Sequence, residues 1–226
     1  MTLATVVFCG VTIAAGFWQL DRAVQKRERH HAIESAQRSV SIDLNRDTPG
    51  SAAIAWQSVR VTGEYLAAET VFIDNRVHLG KPGYHVVMPL RMMDSRRVVL
   101  VNRGWLAASP TREEPRVSAT PPGIVGIQGF LTPVAERPFE LGTFEPNARV
   151  WPNLTIERFA KGRGIPVEPY LVLQTNDASD GLVRAWDLPA SGAEKNQIYA
   201  VQWFSFAALA LILYIALNLR RNVKQS

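Results

Sequence analysis

Four histidines and one cysteine are the first places to look for chemistry in this 226-residue chain. His30 and His31 lie in a charged stretch, Arg22–Gln37, and read as solvated. His78 and His85 flank the turn Leu79-Gly80-Lys81-Pro82-Gly83, and that pair alone carries little weight as a metal site. Cys9 sits inside an apolar run and has no second cysteine to meet, so no disulfide reports on the compartment. The chain has no Gly-x-Ser-x-Gly elbow, no glycine-rich phosphate loop closing on Lys-Ser/Thr, and no His-Glu-x-x-His zinc helix. It also lacks the Cys-x-x-Cys-His that would attach haem covalently. These absences point away from an enzyme. The remaining candidates are polar and aromatic side chains at the edges of two apolar runs: Trp18, Gln19 and Arg22 on one, Tyr199, Gln202 and Trp203 on the other.

Those edges direct attention to the runs themselves, 3–20 and 198–219, neither of which contains a charge. The second covers about 33 Å as a helix at roughly 1.5 Å per residue, enough for a bilayer core of about 30 Å. The first could be read as a signal peptide on the small residues Ala14-Ala15-Gly16, but it lacks a basic leading segment. Two transmembrane helices are therefore expected, with a water-facing domain over 21–197 and a short basic tail over 220–226. Arg220, Arg221 and Lys224 favour a cytoplasmic tail, whereas Arg22, Lys26, Arg27 and Arg29 argue for the opposite side of the first span. A long domain is translocated largely regardless of its charge, so the tail decides. The expectation is a multi-pass protein of a cell (inner) membrane, with the domain extracytoplasmic and both termini cytoplasmic. The net charge of +5 comes from dispersed basic residues, which suits anionic lipid headgroups and gives no nucleic-acid footprint.

Within the domain, alternation predicts strands. Trp56–Leu66 puts Val59 and Val61 on one face, with Ser58, Arg60 and Thr62 on the other. Further strands are expected from Val71, over Tyr84–Leu90, Val98–Trp105, Ile124–Leu131 and Tyr170–Gln174. Asn153–Lys161 reads as a soluble helix with Asn153 as its N-cap, and Arg22–Gln37 as a polar continuation of the first span. Segments 43–55 and 109–122 read as loops. The expected fold class is a membrane protein of α+β type: two transmembrane helices flanking a β-rich, barrel- or sandwich-like extracytoplasmic domain with one or two helices. Gly10 and Ala14, four apart, would let the spans approach closely, and Gln19 and Gln202 should turn towards each other's helix and away from lipid.

Several strings then resemble a known family. Gly16-Phe17-Trp18-Gln19-Leu20-Asp21-Arg22 with Lys26, Gly63-Glu64-Tyr65 with Asp74-Asn75-Arg76, Pro82 to Leu90, Val99 to Trp105, and Tyr199 to Phe204 occur in the order seen in the surfeit locus protein 1 family. The resemblance implies an assembly factor for a haem-copper terminal oxidase. Its implied partners are the oxidase catalytic subunit, haem a synthesis enzymes and membrane lipids, and its implied cofactor is haem a, held transiently. On that reading Trp18 and Trp203 flank a porphyrin or form an aromatic belt. Arg22 and Arg103 meet propionates, or make a salt bridge or a headgroup contact. Gln19, Trp105, Tyr199 and Gln202 complete the haem or client contacts. Haem-binding members typically carry a histidine just before the Tyr-Ala pair, and here Asn196 stands nearest that place. A carboxamide is a poor iron ligand, which leaves His85 as the fallback. Two rival readings are a membrane-anchored extracytoplasmic ligand-binding or sensory module and an extracytoplasmic hydrolase without a recognised motif.

Overall fold

The structure, a computed structural model, describes residues 2–223 apart from 50–54, 94, 112, 118, 135–144, 146–147 and 189, and only the backbone of 219–223. Lys224 and the side chains of Arg220 and Arg221, on which the orientation argument rests, lie outside the described residues. Two compact units form, one from residues 1–32 with 188–226, the other from 33–187.

In the first unit, α1 (Thr2–Arg38) and α3 (Ala193–Val223) are both long and apolar enough to cross a membrane. Side chains such as Val6, Val11, Leu209 and Ile212 are more than half exposed. A core helix would bury that surface; here it is available to lipid. Polar residues 22–38 continue α1 without a break, as the sequence leads one to expect. The helices meet along small buried residues: Thr12, Gly16 and Ala23 on α1, and Ala193, Ala200 and Ala207 on α3. The seven-residue recurrence on α3 is the period of a shallow left-handed crossing. The close approach is at Gly16, where a Cβ would stand 2.6 Å from the Phe204 ring. Gly10 and Ala14, the expected contact points, are exposed, because they fall off the stripe that Thr12 and Gly16 define.

The second unit is a closed five-stranded barrel. Its strands are β2 (Ser58–Tyr65), β4 (Lys81–Met92), β5 (Val98–Ala107), β6 (Ile124–Pro133) and β8 (Tyr170–Gln174), joined in the cycle β2-β6-β8-β5-β4-β2. All of these pairings are antiparallel except β5–β8. Outside the cycle, β1 (Ile42–Asp43) pairs with β2, and β3 (Val71–His78) with β4 and β7 (Val150–Trp151). Alternation sends Val59, Val61, Met88, Leu90, Val99, Val101, Ile127, Leu131 and Val172 into one core. Of the two expected architectures, the barrel is the one that forms.

Two local expectations change. The β3–β4 connection is only the pair Leu79-Gly80, with φ of 47° and 76°, so Lys81-Pro82-Gly83 already belong to β4. Positive φ at both positions marks the tight turn whose twist suits paired strands. The soluble helix α2 spans Ile156–Arg163, and its cap is Thr155, whose extended backbone lets Oγ1 accept the Arg158 N–H at 3.0 Å. Asn153 lies before that cap.

Candidate functional site

In the helix unit, Asn196 stands at the centre of a polar contact between α1 and α3. Its Nδ2 donates to Gln19 Oε1 at 2.6 Å, and its Oδ1 accepts from Lys26 Nζ at 2.7 Å. Both ends of the carboxamide are therefore engaged, and the ammonium fixes which end is oxygen. Gln19 faces the other helix as expected. Gln202 does not: it is exposed on α3, one residue away from the half-buried Trp203 on the seam side. Trp18 is 55% exposed with the Arg22 guanidinium 5.6 Å above its ring, and Tyr199 is 52% exposed. Trp203 packs edge-on to Phe206 at 5.9 Å. The helix pair thus turns an aromatic and basic surface outward, while its amides close on one another.

In the barrel unit, Arg103 is fully buried. Its Nη2 meets Asp180 Oδ2 at 2.6 Å and the Ala119 carbonyl at 3.0 Å, Nη1 meets Thr120 Oγ1 at 3.1 Å, and the guanidinium lies 5.0 Å from the Tyr65 ring. Arg184 Nη2 reaches the same Asp180 oxygen, also at 2.6 Å. Burial alone would raise the Asp180 carboxyl. The Arg184 and Leu182 hydrogen bonds and the charges of Arg184 and Arg103 outweigh that and hold it below the usual carboxylate range. Of the readings open for Arg103, the geometry supplies the internal ion pair.

A bulge explains why the next side chains face elsewhere. Val86 pairs with Gly104 and Val87 with Asn102, so Arg103 is the extra residue of β5. Arg103 points to the core beside Met88, and beyond the bulge Trp105 falls on the outer face with Asn102. Gly104 is required here. Its φ is +147°, and a Cβ would press on Leu182 Cβ at 2.8 Å. That closeness lets segment 182–187 dock on β5 through the Trp105–Val183 backbone pair, at 2.7 and 2.9 Å.

The docked segment helps wall a cavity of about 460 Å³ outside the barrel, lined by Trp56, Arg76, His78, His85, Trp105 and Trp186 among others. His85 packs edge-on to Trp186 at 5.5 Å, and His78 lies 5.2 Å from Trp105. Burial, helped by the Arg76 charge, pushes the His85 imidazole down to about 4, so it is neutral near pH 7. His85 and Trp105 are neighbours across β4 and β5, as their strings allow. Asp180, Arg184 and Trp186 had no signal in the sequence, because segment 175–187 carries no periodicity. Arg76 was visible only as a member of a recognisable string, and Lys26 only there and in the basic cluster after the first span.

Comparison with known proteins settles the family. The model of the SURF1 family matches residues 6–208. The chain belongs to the SURF1 family. Among SURF1 relatives, the SURF1-like protein of Rickettsia conorii is 25% identical over 211 residues, covering 91% of this chain and 85% of the relative. That of Caenorhabditis briggsae is 24% identical, covering 88% of this chain and 69% of the relative. The cytochrome oxidase assembly protein SHY1 of Saccharomyces cerevisiae is 24% identical over 161 residues, covering 68% of this chain and 41% of SHY1. The SURF1 match begins within α1, runs through the barrel and ends within the first half of α3, so it is not confined to one module.

Proposed function

We propose that this protein is a membrane-held assembly factor for a haem-copper terminal oxidase, acting by binding the oxidase catalytic subunit and not by chemical conversion. The observation that carries the reading is the SURF1 match from α1 through the barrel into α3, together with the assembly role in the name of the SHY1 relative. Two exposed apolar helices suit a client that is itself embedded in the bilayer. Trp18, Arg22, Tyr199 and Gln202, outward on those helices, supply aromatic and hydrogen-bonding contacts for it. In this reading the protein sits in the inner membrane of a bacterial cell, with the barrel on the extracytoplasmic side and both termini cytoplasmic.

Haem a is the cofactor the family resemblance implies, and Asn196, which stands nearest the expected histidine, does not fit an axial ligand. Asn196 offers a carboxamide whose two ends are already held by Gln19 and Lys26. Any contact with haem a is therefore proposed to be transient and to rest on the exposed aromatic and basic side chains. The test is co-purification: a tagged full-length chain, extracted in mild detergent, should carry the oxidase catalytic subunit. A preparation that captures only unrelated membrane proteins, from cells that assemble the oxidase normally, contradicts the reading.

A further inference from the structure

Among the described residues, four arginines bury an Nε that meets no acceptor: Arg76, Arg103, Arg163 and Arg184. Three of them engage their guanidinium otherwise. Arg103 and Arg184 share Asp180, and Arg163 reaches the Ala148 carbonyl at 2.9 Å and lies 3.8 Å from Glu69. Arg76 differs. Among the described residues its guanidinium makes no hydrogen bond and no ion pair, and Asp74 acts on it only through space. Its Nε is a buried donor without an acceptor, and the half-exposed guanidinium is left free to take one from outside.

The surroundings of Arg76 describe that partner. It lines the cavity walled by Trp56, Trp105 and Trp186. The indole N–H of Trp105 is already given to the Arg76 carbonyl at 2.8 Å, and that of Trp186 to the Gln174 carbonyl at 2.7 Å. These rings are fixed in place and offer a ligand flat apolar surface but no hydrogen bond. His85 is neutral, and Asp187 sits exposed at the rim. The cavity therefore combines aromatic walls with one unanswered positive charge, at a size within the roughly 300–1,000 Å³ usual for small-molecule sites.

We propose that this cavity binds a small planar aromatic carboxylate, its ring against the indoles of Trp105 and Trp186 and its carboxylate on the Arg76 guanidinium. A carboxylate supplies two acceptors in the plane a guanidinium prefers. The site lies wholly within the barrel unit and does not depend on the oxidase reading.

Two probes with the same ring test it by calorimetry on the detergent-purified full chain: 2-naphthoate, and uncharged 2-naphthylmethanol. Naphthoate should bind saturably, at least about tenfold more tightly than the alcohol. Arg76→Met should remove that advantage and leave the weak alcohol binding unchanged, which also shows the cavity intact. Trp186→Ala should weaken both probes. If Arg76→Met binds neither probe, Arg76→Lys decides: retained preference for naphthoate supports the site, and its loss overturns it. Absence of saturable naphthoate binding to the wild type, or equal binding by wild type and Arg76→Met with the alcohol still bound, also overturns it.

Discussion

The helix pair and the barrel both join polar side chains, the first at a partly exposed contact and the second in a closed interior. Between the helices the bonded groups are two carboxamides and one ammonium, Gln19, Asn196 and Lys26, beside a seam of alanines and glycine. Inside the barrel the groups are fully charged: Arg103 and Asp180 have no side-chain exposure and Arg184 has 8%. Amides and an exposed ammonium beside a helix seam lose little hydration and contribute little when paired. A buried ion pair adds little net stability over an apolar core, but removing one partner leaves an uncompensated charge. The barrel should therefore be brittle to single charge deletions and the helix pair tolerant of polar ones.

The most damaging change should be Asp180→Ala, which leaves buried Arg103 without its carboxylate and Arg184 with only the exposed Asp177 at 3.8 Å. A loss of about 3–5 kcal/mol is expected, read as a large fall in the barrel's unfolding midpoint with the helices retained by circular dichroism. A loss below about 1 kcal/mol would erase the contrast between the two regions.

His85 gives a pH-dependent version of the same brittleness. Its imidazole is held neutral down to about 4, whereas in the unfolded chain it takes a proton near 6.5. The stability it contributes is thus complete above pH 6.5 and lost as pH falls from 6.5 to 4. That amounts to at most about 3 kcal/mol. His85→Phe should flatten this slope in an unfolding series, and an unchanged slope would move the acid sensitivity to other groups. Below that window Asp180 takes over: its lowered carboxyl stabilises above the ordinary unfolded value of about 4 and loses its effect in stronger acid.

On the helices, steric changes should outweigh polar ones. Gly16→Leu drives a side chain into Phe204 and should cost about 1–3 kcal/mol of helix association. Gly10→Leu, facing open space, should cost little. Crosslinking yield between cysteines placed on α1 and α3 distinguishes them. Among the polar changes, Asn196→Ala should cost only about 1 kcal/mol, and a larger loss would mean that this amide does more than join the helices.

What could be read from residues alone follows the same division. Spans, strands and the polar continuation of α1 are local periodicities, and they were legible. The partner face of α1 was not, because Gly10 and Gly16 are equally small and only the crossing decides which one meets Phe204. The turn after His78 was misjudged in length since Pro82 and Gly83 look like loop residues yet lie in β4. Arg103 drew notice as an arginine in a strand, but its fate depends on a bulge and on Asp180, 77 positions later. The cavity was invisible, because it is assembled from β3, β4, β5 and a docked segment that share no pattern.

The central claim is the role in oxidase assembly, and a deletion of the gene tests it most directly. Reduced-minus-oxidised spectra of the membranes should show the haem-copper oxidase signal strongly diminished and the other cytochromes preserved. The intact chain should restore it and Asp180→Ala should not. An oxidase signal of normal size and activity in the deletion strain would contradict the account.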